Sequence, residues 1–181
     1  VGPMLAANQF VQGLKADAVL NRVSRDTTEL YGSLGATGKG HGTPKAVLLG
    51  FEGELPDLVD VPAIAGRVAA IRDNGRLCLL GEHAINYNHD LDFKLHRRKA
   101  LAFHPNGMVF VAFDKAGNEL SKRTFFSVGG GFVVDESATG EDCIVEDSRQ
   151  LAYDFDSANE LLQLCTDQGL SISDVMLENE K

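Results

Sequence analysis

The chain has 181 residues, 17 Lys+Arg against 26 Asp+Glu, a formal charge of −9, 44% hydrophobic and 24% charged residues. This is the composition of a globular protein, not a disordered or fibrous one, and its acidic balance opposes docking on nucleic acid or anionic lipid; no basic cluster exceeds Arg97-Arg98-Lys99. No apolar stretch approaches the roughly 18 residues that span a bilayer, so no membrane partner is expected.

From Pro3 to about Leu20 the apolar residues Leu5, Phe10, Val11 and Leu14 recur at helical intervals, and Pro3 suits a first turn, where its missing N–H would be unpaired anyway. Thr27-Thr28-Glu29-Leu30-Tyr31 is rich in strand formers and runs into a glycine-dense, flexible loop from Gly32 to Gly42. Thr43-Pro44 reads as N-cap and first residue of a helix through Lys45–Leu49, with Gly50 as its stop. A turn-rich connection over 53–62 leads to an amphipathic helix at about Ala63–Arg72, closed by Asn74-Gly75. Short extended pieces are expected at His83–Tyr87 and Leu91–Leu95. Met108–Phe113 is a strong strand, and Lys115-Ala116-Gly117-Asn118 turns it into a second, about Glu119–Val128, making a hairpin. Gly129-Gly130-Gly131 then precedes Phe132-Val133-Val134.

Glu136–Asp156 is acidic and linker-like. Ser157 caps a helix that presents Ala158, Leu161, Leu162 and Cys165 and ends at Gly169; Ser171 opens a last short helix through Met176. The pattern predicts an α+β fold, a mixed and mostly antiparallel sheet flanked by helices, with one domain over 1–156 and C-terminal helices over 157–181. Cys78, Cys143 and Cys165 show neither CxxC nor Cys/His ligand spacing. They read as reduced thiols in a cytoplasmic protein, not as a disulfide framework or a zinc site.

The loop from Gly32 to Thr43 carries the strongest chemical signal. It lies between a strand and a helix, as a phosphate-binding loop does, but the spacing fails: Gly32 lies one residue too far from Gly38-Lys39, and Gly40 stands where Ser or Thr is required. Glycines that only ease a tight crossing would explain Gly38, Gly40 and Gly42, but not Lys39 and His41 between them. A histidine between two glycines suits presentation of an imidazole into a cleft for proton transfer near neutral pH. His104 stands in a turn, Phe103-His104-Pro105-Asn106-Gly107, just before a strand. His83, His89 and His96 fit no metal-ligand interval and read as solvated surface residues. The pairs Glu141/Asp142 and Asp154/Asp156 read as solvated loop charge, and Ser127–Phe132 as a glycine bulge or a cleared docking space.

Taken in order, Tyr31-Gly32-Ser33-Leu34, Thr37-Gly38-Lys39-Gly40-His41-Gly42-Thr43, His104 with Asn106-Gly107-Met108, and Phe126–Glu136 resemble the β domain of the bacterial iron–sulphur L-serine dehydratases, the single-chain type. The likeness runs over nearly the whole chain; only about Gly75–Leu101 diverges. It implies a fold similar to the allosteric intervening domain of some phosphoglycerate dehydrogenases, and the lyase reaction that turns L-serine into pyruvate and ammonia. It further implies a [4Fe-4S] cluster held by cysteines of a separate α domain, over which the β domain closes. His41 and His104 become the candidate catalytic groups, with His41 preferred as base. Lys39, Thr43 and Asn106 become candidates for orienting substrate, and Gly40, Gly42, Ser127, Gly129, Gly130 and Gly131 for the domain interface. No metal ligand is expected in this chain.

Two departures qualify the likeness. The family's Ser-Ser-Ser-His-Thr motif precedes the position where this chain opens on Val1-Gly2-Pro3, and the cluster cysteines have no counterpart here. The chain is therefore expected to be a fragment that folds but does not turn over serine by itself. Its partners would be the α domain and L-serine, and a homodimer is one assembly the likeness allows. A regulatory or docking module without catalytic groups, or a bare interface scaffold, are the rival readings.

Overall fold

A computed structural model describes residues 1–136, 151–155 and 157–180. The chain divides into two compact units, Val1–Cys143 and Ile144–Lys181.

In the first unit, helix α1 (Gly2–Ala16) takes Pro3 into its first turn and buries Met4, Ala6, Ala7, Phe10, Val11 and Leu14. Strand β1 (Arg25–Leu30) alternates buried and partly exposed residues, the period-2 signature of a sheet with two unequal faces. The glycine-dense stretch is more ordered than its composition predicts: Gly32–Ala36 forms a short helix, α2, and turns fill 37–42. Helix α3 (Thr43–Phe51) starts from Gly42, whose φ of 75° is a left-handed conformation that glycine adopts without a Cβ clash. Gly42, not Thr43, is the N-cap residue.

Gly50 also corrects the sequence reading. It lies inside α3, and a Cβ there would stand 2.3 Å from the Met4 carbonyl oxygen and 2.9 Å from the Ala7 Cβ. The residue is a packing glycine that lets α3 lie close on α1, and the helix continues through it.

Helix α4 (Ile64–Asn74) ends at Gly75, left-handed as expected. A two-stranded antiparallel sheet follows, β2 (Arg76–Leu79) with β3 (His83–Asn86). A single helical turn, α5 (His89–Asp92), leads into β4 (Phe93–Leu95). Strands β5 (Gly107–Phe113), β6 (Glu119–Gly129) and β7 (Phe132–Asp135) complete a five-stranded sheet of order β4-β1-β5-β6-β7. All neighbours in it are antiparallel except β1 and β4, so the fold is the expected mixed α+β type.

One sheet face lies against α1 and α3. Phe10, Phe51, Phe110 and Phe125 are at most 1% exposed there, and Phe110 sits 5.6 Å from the Phe10 ring, 5.2 Å from Phe51 and 5.7 Å from Phe125, centroid to centroid. The other face carries Glu29, Val109, Val111, Lys122 and Thr124, which with Leu101–Phe103 line an open cleft of about 540 Å³.

Asp26 is 2% exposed on the packed face of β1, and its Oδ2 has no hydrogen-bond partner among the described residues. Burial raises its pKa well above the usual carboxyl value, and the nearby Asp92 charge adds to this. The folded chain therefore holds a proton that the unfolded chain releases. Stability from this group is complete below the ordinary carboxyl range and falls as pH rises from there through the folded-state pKa. Asp26→Asn is expected to flatten that decline and raise the thermal midpoint at neutral pH, measured by calorimetry from pH 4 to 8.

The second unit is a helical pair. Helix α6 (Ala158–Gln168) is capped by the Ser157 hydroxyl and closed by left-handed Gly169. Helix α7 (Ile172–Asn179) starts with a Ser171/Asp174 capping box, and the Asn179 side chain bonds both backbone groups of Tyr153, at 2.8 and 2.7 Å. The acidic segment at 137–150 and residue 156, including Cys143, Glu141 and Asp142, lie outside the described residues.

Candidate active site

The strand order forces two loops to one place. β4 and β5 flank β1 on opposite sides, and Leu95 and Met108 are both in register with Leu30. The segment 96–106 must therefore cross the carboxyl end of β1, where the glycine-rich loop also departs. Direct bonds join the two. The Gly32 N–H donates to the Lys99 carbonyl at 2.8 Å, and Ser33 donates to Asn106 Oδ1 from both its N–H (3.0 Å) and its hydroxyl (2.6 Å). Gly32 is left-handed, and a Cβ on it would stand 2.1 Å from the Pro105 carbonyl oxygen, so only glycine permits this approach.

His104 belongs to the crossing segment. Its Nδ1 accepts the Asn106 N–H at 3.2 Å, which in the neutral ring leaves the proton on Nε2 and makes that nitrogen a donor. The Asn106 carbonyl accepts the Ser127 N–H at 3.0 Å, tying the turn to β6. Asn106 thus serves first as a hub between segments, with Oδ1 committed to Ser33.

His41 sits on the far limb of the glycine-rich loop. Thr37 caps back onto the Ser33 carbonyl, Gly38 is packed with no room for a Cβ against the Leu34 carbonyl oxygen, and the Thr43 N–H closes the loop onto the Gly38 carbonyl. Lys39, Gly40 and His41 are left exposed on this frame, and among the described residues the His41 imidazole has no hydrogen-bond partner. Lys39 lies close enough to His89 to act on its charge. Thr43 is only 6% exposed, at the start of α3. The structure thus bonds Ser33, His104, Asn106 and Ser127 into one network; it makes no direct bond from that network to His41 or Lys39.

Gly129, Gly130 and Gly131 have φ of 105°, 58° and 86° and form the β6–β7 turn. Phe132 projects beside them, 73% exposed.

The three other histidines are not free surface groups. His83 Nε2 bonds the Val23 carbonyl at 2.7 Å. His89 lies between the Tyr87 hydroxyl, at 2.7 Å, and Arg72, at 3.3 Å, and burial followed by the Arg72 charge lowers its pKa. His96 Nε2 donates to Glu29 Oε2 at 2.8 Å, and its ring stacks on Tyr31 with centroids 4.5 Å apart. The same Glu29 oxygen accepts the Tyr31 hydroxyl at 2.7 Å. That bond chiefly lowers the Glu29 pKa, while burial and the carboxylate push the Tyr31 phenol up to about 12. The sequence reading missed this cluster. Two of its three members, Glu29 and Tyr31, stand two apart in the stretch that reads as a strand, where such residues share a face.

Among the described residues no three His, Cys, Asp or Glu side chains converge to hold a metal ion, and Cys78 and Cys165 are free thiols. None of the described helices is long and apolar enough to cross a membrane.

Comparison with known proteins adds the following. Residues 1–138 match the family described as serine dehydratase beta chain. The chain is 54% identical over 181 residues to an L-serine dehydratase of Streptomyces coelicolor, covering 100% of this chain and 40% of that protein. It is 39% identical over 182 residues to L-serine dehydratase 1 of Escherichia coli (99% of this chain, 39% of the relative) and 34% identical over 176 residues to the Helicobacter pylori L-serine dehydratase (97% and 38%). The chain spans about two fifths of the length of the curated relatives it matches.

Proposed function

The chain belongs to the serine dehydratase beta-chain family, and from that premise we propose that it is the β part of an L-serine ammonia-lyase, closing over a separate catalytic part and lending it His41 and His104. The observation that supports this most is the meeting of the two histidine-bearing loops at the carboxyl end of β1, joined by the Gly32–Lys99 and Ser33–Asn106 bonds.

The reaction needs two proton transfers. A base removes the Cα proton of serine, the electron pair forms a Cα=Cβ bond, and the hydroxyl departs as water once it receives a proton. The resulting enamine becomes an imine, which water hydrolyses to pyruvate and ammonia. An unengaged imidazole on an exposed loop can accept a proton at either nitrogen, which suits His41 to the role of base. His104, with Nδ1 occupied by the Asn106 N–H, presents Nε2–H and suits contact with the departing oxygen. Lys39, exposed two residues before His41, is assigned the substrate carboxylate.

The likeness in sequence also implies a [4Fe-4S] group. The described residues offer it no ligand set, so we assign it to the part of the relatives that this chain does not span, and this chain's share of the work to positioning, proton transfer and closure. The purified 181-residue chain is expected to release no pyruvate from L-serine, and to support turnover once combined with the remaining part of a relative such as the Streptomyces coelicolor protein. Turnover by the chain alone, or none with the supplement despite a bound complex, would overturn the reading.

A further inference from the structure

The segment that carries His104 has no regular secondary structure from residue 96 to 106, so its course is set by whatever pins it. At its far end the pins are those of the candidate site, Ser33 on Asn106 Oδ1 and Ser127 on the Asn106 carbonyl. At its near end the His96 N–H continues the β1–β4 ladder by donating to the Leu30 carbonyl at 2.8 Å. Three residues on, the Lys99 carbonyl accepts the Gly32 N–H at 2.8 Å, so two backbone bonds hold this end of the segment and leave its side chains to set the orientation between them. They do so at His96: the imidazole lies flat on the Tyr31 ring, planes 19° apart, and Glu29 Oε2 holds both the imidazole and the phenol.

We propose that Glu29 is a positioning residue, which clamps His96 onto Tyr31 at the carboxyl end of β1 and thereby fixes the path of the crossing segment and the place of His104. This rests on the reading that His104 works at a shared site. Three features favour the assignment over an ordinary surface ion pair. One carboxylate oxygen serves two aromatic partners, Tyr31 just past the end of β1 and His96 just past the end of β4, so the geometry is over-determined. Both bonds are charge-assisted, the stronger class of hydrogen bond. The clamp also ends one residue before Gly32, whose N–H to the Lys99 carbonyl joins the glycine-rich loop to the crossing segment. Lys94 Nζ faces Glu29 from β4 at 4.0 Å and is 63% exposed, so it adds little direction to the carboxylate. Lys122 faces it across the cleft from β6.

The test uses the 181-residue chain and needs no turnover. Amide hydrogen exchange is measured for residues 97–106, together with the ring resonances of His104. Glu29→Ala is expected to speed exchange in 97–106 about tenfold, roughly the factor that loss of one charge-assisted hydrogen bond corresponds to, and to shift or broaden the His104 signals. Amides of α1 and α3 keep their protection. Glu29→Gln, whose side-chain oxygen can still accept from both the Tyr31 hydroxyl and His96 Nε2, restores most of the protection.

Unchanged exchange in 97–106 with an unmoved His104 signal in Glu29→Ala would overturn the proposal, whatever His104 does in catalysis. Should Glu29→Ala loosen α1 and α3 as well, His96→Phe decides. It keeps the stacked ring and loses only the bond to Glu29, and the proposal requires loosening confined to 97–106. Full activity of His104→Ala in the complete enzyme would instead remove the catalytic reading and leave the clamp itself standing.

Discussion

Replacing His41 by alanine in a complete L-serine dehydratase that carries this domain is expected to lower kcat by about 10²–10⁴-fold, the range a positioned acid or base supplies. The thermal midpoint should not move, because the His41 side chain is exposed and makes no hydrogen bond among the described residues. Its frame is independent of its ring: the turns at 37–42 are closed by backbone bonds of Thr37, Gly38, Gly40 and Thr43. A change in kcat with an unchanged fold is thus the mark of a chemical role. The rival readings give other results in the same assay. A regulatory module would alter mainly the dependence on serine concentration, and a scaffold would lose association with the catalytic part.

The largest effect on stability is expected at Phe110. Its ring is fully buried and contacts Phe10 from α1, Phe51 from α3 and Phe125 from β6, so it joins both helices to the middle of the sheet. Phe110→Ala removes those contacts and leaves a cavity whose walls, two helices and a sheet, cannot close on it. The expected cost is about 3–5 kcal/mol. In a chain of this size that lowers the midpoint by roughly 6–20 °C in a calorimetric scan. A loss below about 1 kcal/mol would mean that α1 and α3 can move inward, contrary to the close approach enforced at Gly50.

Gly50 shows where sequence reasoning reaches its limit. A glycine at the end of an apolar run is a standard helix stop, and nothing local distinguishes that from a glycine needed because another helix passes close by. The distinction lies in the Met4 carbonyl, 46 positions away. Gly75, by contrast, is readable as punctuation, because a left-handed residue at a helix C-terminus is a local requirement, whereas Gly42 takes the N-cap place that the sequence assigns to Thr43. Likewise Ser157, Gly169 and Ser171 delimit the last two helices where caps predict them.

The candidate site divides the same way. Glu29 and Tyr31 are neighbours on a strand face by their spacing alone, but His96 joins them only because β4 pairs with β1 in parallel. By spacing, histidines 83, 89 and 96 match no single element and read as solvated; each is bonded to a group from elsewhere in the fold or across a short turn. The contact of Gly32 and Ser33 with Lys99 and Asn106 is likewise a product of strand order, β5 lying beside β1 with β4 on its other edge.

The central claim is that one substrate molecule touches both imidazoles. It is tested most directly by a structure of the complete enzyme holding an unreactive serine analogue. A His41 ring nitrogen should lie about 3–3.5 Å from Cα, and His104 Nε2 about 2.6–3.2 Å from the β-oxygen. Rings on opposite faces of the domain, or either ring beyond the reach of a single bridging water, would contradict it.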